Sequence, residues 1–254
     1  MLDMRVILSV ETATRRGSVC VTRGDEIIAS EVGPDQSSHS NTLLREISQV
    51  LERSHILLSE VGIFAAAIGP GSFTGLRIGL ASVKALAVTL GRPGVGVPTL
   101  QAVARSGGPS AVTVALLPAG RGELFAQMFA VSLGETVVEL DQPAHLSPGE
   151  LMKRYGGQPG IRWCGEGAHA RRTELQEWAS DQGISFSEVV GDALMSLDGW
   201  TLAPREPILA RHIAALARLR LEQGDAGDPA SLNALYVRPP DAELKSNVDN
   251  RNGS

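Results

Sequence analysis

Two clusters of residues have the types and spacing to do chemistry. The first is Glu11-Thr12-Ala13-Thr14, where the apolar run Arg5–Glu11 ends on a carboxylate beside two hydroxyls. A carboxylate at a strand end can help hold a magnesium ion on phosphate oxygens when a second carboxylate faces it. The second is the stretch Gly69–Gly79, GPGSFTGLRIG, in which four glycines lead into a helix. Glycine-rich turns entering helices often cradle phosphate, but Gly75 is followed by Leu76 and Arg77, not by the Lys and Ser/Thr of a P-loop. An anion could still rest on the backbone N–H groups of Ser72–Thr74.

The counterpart chemistry is thin. In the second half the equivalent turn holds Pro118, Ala119 and Gly120, and the next acid is Glu123. One carboxylate makes a weak magnesium site, so Glu11 reads as a solvated strand-end acid. Arg15 and Arg16 crowd the same turn with positive charge. His39 has Asp35 four residues before it and Leu43 four after, which leaves any metal set incomplete. His55, His145, His169 and His212 have no partner spacing. No G-x-S-x-G elbow is present, and Cys20 and Cys164 lie far apart with no basic cluster beside either. The reading is no catalytic residue, no metal and no cofactor.

The elements that position these residues follow from periodicity. Three short strands in the first 32 residues form a meander. A helix follows, with Leu43, Leu44, Ile47, Val50 and Leu51 on one face. Then come a fully buried strand over VGIFAAAIG, a helix to about Leu90 capped by Ser72 or Thr74, and another strand. This β-β-β-α-β-α-β order describes a ribonuclease-H-like half domain. The second half opens the same way and continues with a helix through Ala168–Ala179 and a strand over SFSEVV. The expected fold is α/β: a duplicated ribonuclease-H-like, actin and sugar-kinase type with two lobes. Residues 1–106 form one lobe and 107–206 the other. A long helix over 207–224 packs back on the lobes, and 240–254 form a disordered tail.

The 254 residues suffice for two lobes, and 43% hydrophobic with 4% aromatic implies an aliphatic core. A net charge of −5 without a basic stripe argues against stand-alone RNA binding. Two thiols, no charged-then-apolar leader and no apolar run of about 20 residues point to a soluble, cytoplasmic chain.

Gly75 and Gly79 read as helix interior, where each costs about 1 kcal/mol relative to alanine. Four apart, with Ser82 continuing their row, they leave a small-residue notch for a second helix. From spacing alone that helix belongs either to a partner or to this chain's own Ser40–Arg53. Leu76, Leu80, Val83, Ala87 and Leu90 fall on an adjacent face suited to the chain's own sheet. Arg77 reads as pairing with an acid on a partner or, the safer reading, on this chain's own first helix.

GPGSFTGLRIG resembles the signature of the TsaB (YeaZ) family, and ILSVETAT, His39 in SSHSNTLL, GELFAQ and LYVRP match further landmarks of it in order. The resemblance implies a non-catalytic subunit in the synthesis of threonylcarbamoyladenosine beside the anticodon of tRNA. Such a subunit docks on and activates a TsaD-type transferase, with a TsaE-type ATPase joining and tRNA bound only by the assembly. A competing reading is a stand-alone homodimer that uses the same notched helix. The implied interface uses the first two helices, through His39, Leu43, Ile47, Thr74, Gly75, Ile78, Gly79 and Ser82. Glu11, Thr12 and Thr14 become a vestigial nucleotide loop. The alternatives are an actin-like phosphotransferase and a glycoprotease-like metallopeptidase.

Overall fold

β1 (Val6–Glu11) is buried along its whole length, and its alternation divides two layers. Val6, Leu8 and Val10 join one apolar cluster; Ile7 joins another on the opposite face. In the computed structural model, which describes residues 5–34, 39–134, 136–189, 198–225 and 227–237, β1 pairs antiparallel with β2 (Ser18–Arg23), and β2 with β3 (Glu26–Val32). On its other edge β1 pairs in parallel with β4 (Val61–Gly69), which pairs in parallel with β5 (Gly94–Pro98). The sheet order is β3-β2-β1-β4-β5. The crossover helices α1 (His39–Ser54) and α2 (Phe73–Leu90) cover one face. Short α3 (Thr99–Ser106) lies on the other.

The second sheet repeats the plan. β6 (Ser110–Gly120) and β7 (Glu123–Val131) make the central hairpin, with β8 (Val137–Glu139) and β9 (Ala144–Leu146) both antiparallel to β7. β10 (Arg162–Cys164), β11 (Phe186–Glu188) and β12 (Trp200–Leu202) extend it in the order β11-β12-β10-β6-β7-β8. The periodicity had no signal for the three-residue strands β9 and β12. Helix α4 (Pro148–Tyr155) is capped by Ser147, and the helix expected through Ala168–Ala179 is two, α5 (Glu166–Ala170) and α6 (Arg172–Asp181), broken at Arg171. Trp163 and Trp200, edge to face at 5.1 Å, centre the outer core of this sheet. Both halves are ribonuclease-H-like, and together they form the two-lobed α/β fold of actin and the sugar kinases.

α7 (Leu209–Glu222) leaves the second sheet and lies against β1, β2 and α3. The odd positions of β1 and the even positions of β2 point at it. Ser9 Oγ donates to the Ala210 carbonyl at 2.8 Å, and Ala210 N–H donates to Ser18 Oγ at 3.0 Å. One apolar cluster therefore runs from Ile7 and Val95 through Leu100, Val103 and Ile213 to Leu117, Phe125 and Phe129, joining the lobes. Ser18→Ala leaves a buried amide without its acceptor, and we expect a loss of about 1–3 kcal/mol in urea unfolding.

α2 is long and apolar enough, by length and composition, to cross a membrane. In the fold its Leu76, Leu80, Val83 and Ala87 are buried against the sheet. It ends at Gly91, in the left-handed conformation (φ 59°) that glycine adopts without strain. The expected tail, 240–254, lies outside the described residues.

Candidate functional site: the interlobe cleft and the outer face of two helices

The first turns of both lobes converge on a cleft. From lobe one come Ala13, Thr14, Arg15 and Arg16 after β1, and Pro70–Phe73 at the start of α2. From lobe two come Leu117–Gly120 at the end of β6, Phe125, and Glu166 and Ala170 of α5. Arg205 and the strap Leu235–Val237 complete the lining of a cavity of about 1040 Å³. The start of α2 sits close to the β1 turn because Gly71 has no side chain: a Cβ there would stand 2.5 Å from the Ala13 carbonyl oxygen. Ser72 N–H donates to that carbonyl at 2.8 Å, and Ser72 Oγ accepts from Gly75 N–H at 3.2 Å. Of the Ser72–Thr74 amides considered for an anion, the first is thus taken. The strap is fixed by Leu235 N–H donating to the Ile68 carbonyl at 2.7 Å.

Glu11 is not the solvated acid expected. It is 1% exposed, because it shares the inward-facing side of β1 with Ile7 and Ser9. Both oxygens accept from one residue: Thr14 N–H reaches Oε1 and Thr14 Oγ1–H reaches Oε2, each at 2.7 Å. Burial raises its pKa, the Thr14 and Ala13 hydrogen bonds oppose the rise, and the nearby Glu166 charge adds to it. A carboxyl whose folded-state pKa is raised binds more protons folded than unfolded, so it lowers stability as pH climbs from about 4.3 towards the folded value. Glu11→Gln keeps an acceptor for Thr14 N–H and removes the buried charge. We expect it to match the parent in urea midpoint at pH 4 and to exceed it at pH 8.

The fold class implies a magnesium nucleotide, and the residues present do not fit one. Glu11 is buried with both oxygens engaged and does not line the cavity. Pro118, Ala119 and Gly120 carry no carboxylate, and Glu123 turns to His145 at 3.0 Å. Among the described residues no three His, Cys, Asp or Glu side chains group to hold a metal. His212 is buried against Glu206 (3.2 Å) and Arg105 (2.8 Å), and Cys20 and Cys164 are buried with thiols pushed up to about 12 by burial.

Gly79 has an explanation other than a second helix. A Cβ on Gly79 would collide with Thr12 Oγ1, with Thr12 Cβ and Cγ2 at 3.4 Å. At this position the chain's own β1 turn fills the notch. Gly75 and Gly79 are buried, as are Leu43 (2%) and Ile47 (5%), which pack into the lobe's core. In the isolated chain these four present little surface of their own. Leu44, expected to face inward, is 69% exposed. Thr74 is exposed, Ile78 and Ser82 are half-buried, and His39 opens α1 with a side chain outside the described residues. Among the described residues Arg77 pairs with no acid; its guanidinium lies 3.9 Å over the Phe73 ring and donates to Tyr236 Oη at 3.4 Å. What the outer face of α2 presents is Thr74, Ile78, Ala81, Ala85 and Val88, the last 62% exposed, with Leu44 of α1 also exposed. Spacings of 4-3-4-3 are those of a helix–helix seam. The sequence contains that period, but the glycine spacing points to a different face of α2 as the docking one.

Two ribonuclease-H-like lobes closing on a cleft between their first hairpins define a protein of the actin and sugar-kinase class. Residues 28–217 match the family model described as TsaD: tRNA N6-adenosine threonylcarbamoyltransferase. The chain belongs to that family, and TsaB (YeaZ) proteins are its homologues. It is 33% identical over 124 residues to the tRNA threonylcarbamoyladenosine biosynthesis protein TsaB of Escherichia coli, covering 47% of this chain and 52% of that one. It is 24% identical over 244 residues to the uncharacterized protein Rv3421c of Mycobacterium tuberculosis, covering 95% and 96%. Among solved structures, YeaZ from Pseudomonas aeruginosa superposes with a TM-score of 0.70 at 22% identity, over 92% of this chain and all of that one.

Proposed function

We propose that this chain is a subunit of the machinery that makes threonylcarbamoyladenosine in tRNA, and that it docks a TsaD-type transferase and activates it without doing chemistry itself. The observation that carries this reading is the 4-3-4-3 row on α2. One face of the helix is buried in its own lobe, and the other presents small and apolar side chains from Thr74 to Val88. Such a row suits a helix pair from a partner, since small residues let backbones approach while Ile78, Val88 and Leu44 supply apolar contact. The TsaB name of its relatives supplies the pathway. Glu11, with Thr12 and Thr14, serves structure in this reading, because its carboxylate is committed to the Thr14 turn. A TsaE-type ATPase and tRNA would join only through the assembled complex.

The test is a titration of the purified chain with a purified TsaD-type protein, followed by threonylcarbamoyl transfer to tRNA. We expect a stoichiometric complex and transfer that requires both proteins. Transfer by this chain alone would overturn the non-catalytic role, and failure to associate would overturn the docking role. Light scattering on the isolated chain reads whether a second copy occupies the same face.

A further inference from the structure

The outward row on α2 has two unlike flanks. Arg77 and Lys84 each precede a member of the row, Ile78 and Ala85, and so share one flank seven residues apart, about 10.5 Å along the axis. The other flank, Gly75, Ser82 and Thr89, carries no charge. Residues 229–237 hold both cations from the side. The Arg77 guanidinium lies 3.9 Å over the Phe73 ring and donates Nε–H to Tyr236 Oη at 3.4 Å, while the Phe73 and Tyr236 rings are 5.2 Å apart. Lys84 Nζ donates to the Ala230 carbonyl at 3.1 Å. That segment is itself firmly seated. Leu232 is 5% exposed and joins the cluster of Leu80 and Val83, and it approaches β5 so closely that a Cβ on Gly94 or Gly96 would stand 3.1 or 3.3 Å from its methyls. Among the described residues neither Arg77 nor Lys84 has a carboxylate partner. The one acid of the segment 227–237, Asp228, accepts from the Ala230 amide at 2.9 Å. A chain of net charge −5 thus keeps two fixed cations on one edge of its outward helix without counter-charges.

Resting on the docking role above, we propose that Arg77 and Lys84 choose the partner: the helix they accept carries carboxylates seven residues apart that face them along this edge. In paired helices the seam supplies packing, and the positions beside it carry the charges that set partner and orientation. The seam here is small and apolar, so it discriminates little by itself. Arg77 is already ordered by its aromatic stack, so pairing with a carboxylate costs it less freedom than it would cost a loose side chain. Its remaining N–H groups suit a bidentate contact. The same charges act against a second copy on this face. A two-fold antiparallel pairing of α2 with itself would set Arg77 of each copy beside Lys84 of the other, and like charges across an interface are costly. An acidic helix from a different chain bears no such cost and gains two ion pairs at the rim.

The experiment is titration calorimetry of the whole chain with a purified TsaD-type protein at low and at high salt. We expect the affinity of the parent to fall at high salt, where rim charges are screened. Arg77→Glu/Lys84→Glu should weaken binding at low salt by at least about tenfold, because it sets carboxylates against carboxylates. Arg77→Gln/Lys84→Gln should fall between the two and lose most of the salt dependence, which a merely structural role for these side chains would not remove. Each variant is checked for a native circular dichroism spectrum, and the Gln pair carries the test if the Glu pair disturbs the fold. A Glu pair or a Gln pair that binds as tightly as the parent, or a parent insensitive to salt, would overturn the charge selection and leave docking on α2 standing. Failure of the parent to associate would overturn both. Self-association of the isolated parent through this face, lost on Ala81→Arg and tighter than binding to the TsaD-type protein, would give the face to a second copy and overturn the acidic partner.

Discussion

Replacing Gly79 with leucine should unfold this protein or lower its melting temperature by at least about 10 °C. Helix propensity pulls the other way, since alanine at an internal glycine gains about 1 kcal/mol. The contact decides the sign. The new Cβ would penetrate Thr12 Oγ1, and Thr12 is itself 2% exposed, held in the turn between β1 and β2 with no space to retreat. Overpacking of this kind costs about 1–3 kcal/mol for one added carbon and more for a full leucine. At about 2–4 °C per kcal/mol for a chain of this size, even Gly79→Ala should lose several degrees. Thr12→Ala removes the colliding oxygen, so the pair Thr12→Ala/Gly79→Ala should be more stable than Gly79→Ala alone. Coupling of this sign between the two sites belongs to a glycine filled by its own chain. A melting temperature for Gly79→Ala at or above that of the parent would refute the contact.

Ala81→Arg should do the opposite: leave the fold intact and abolish association with a TsaD-type partner. Ala81 is exposed at the middle of the 4-3-4-3 row, so the free chain tolerates an arginine there at little cost. In a helix-packed interface the same arginine would be buried without a counter-charge, costing several kcal/mol. We expect at least about a hundredfold weaker binding, or roughly 3 kcal/mol, by titration calorimetry. Circular dichroism and melting should match the parent. Arg45→Ala on the exposed side of α1 is the control and should change affinity little. Equal binding by Ala81→Arg would remove α2 from the interface.

These two variants sit two residues apart in one helix, and their contrast marks where sequence reading succeeds and where it stops. The order of elements in the first lobe was legible throughout. Runs such as VILSVE and VGIFAAAIG bury both faces, the caps at Ser72 and Gly91 use local chemistry, and α2 ends where its glycine says it should. Local interactions control all of these. The inward face of α2, from Leu76 to Ala87, was legible for the same reason.

What met Gly79 was not legible, because Thr12 is 67 residues away and touches it only after β1 and β4 pair. Glu11 looked solvated because a strand end usually is; only tertiary packing closed it off. The nearby carboxylate whose charge acts on it, Glu166, lies on α5, and no spacing in the chain links the two. Arg205 reaches the cleft from a segment that carries no motif, and Tyr236 from LYVRP, a landmark whose place in the fold the spacing did not give. The chain alone determined its longer strands and helices and its family, since these follow from neighbours in sequence. Which glycine is a seat, which acid is buried and what charge lines the cleft were decided by tertiary structure, because each depends on side chains that meet only when the two lobes close on one core.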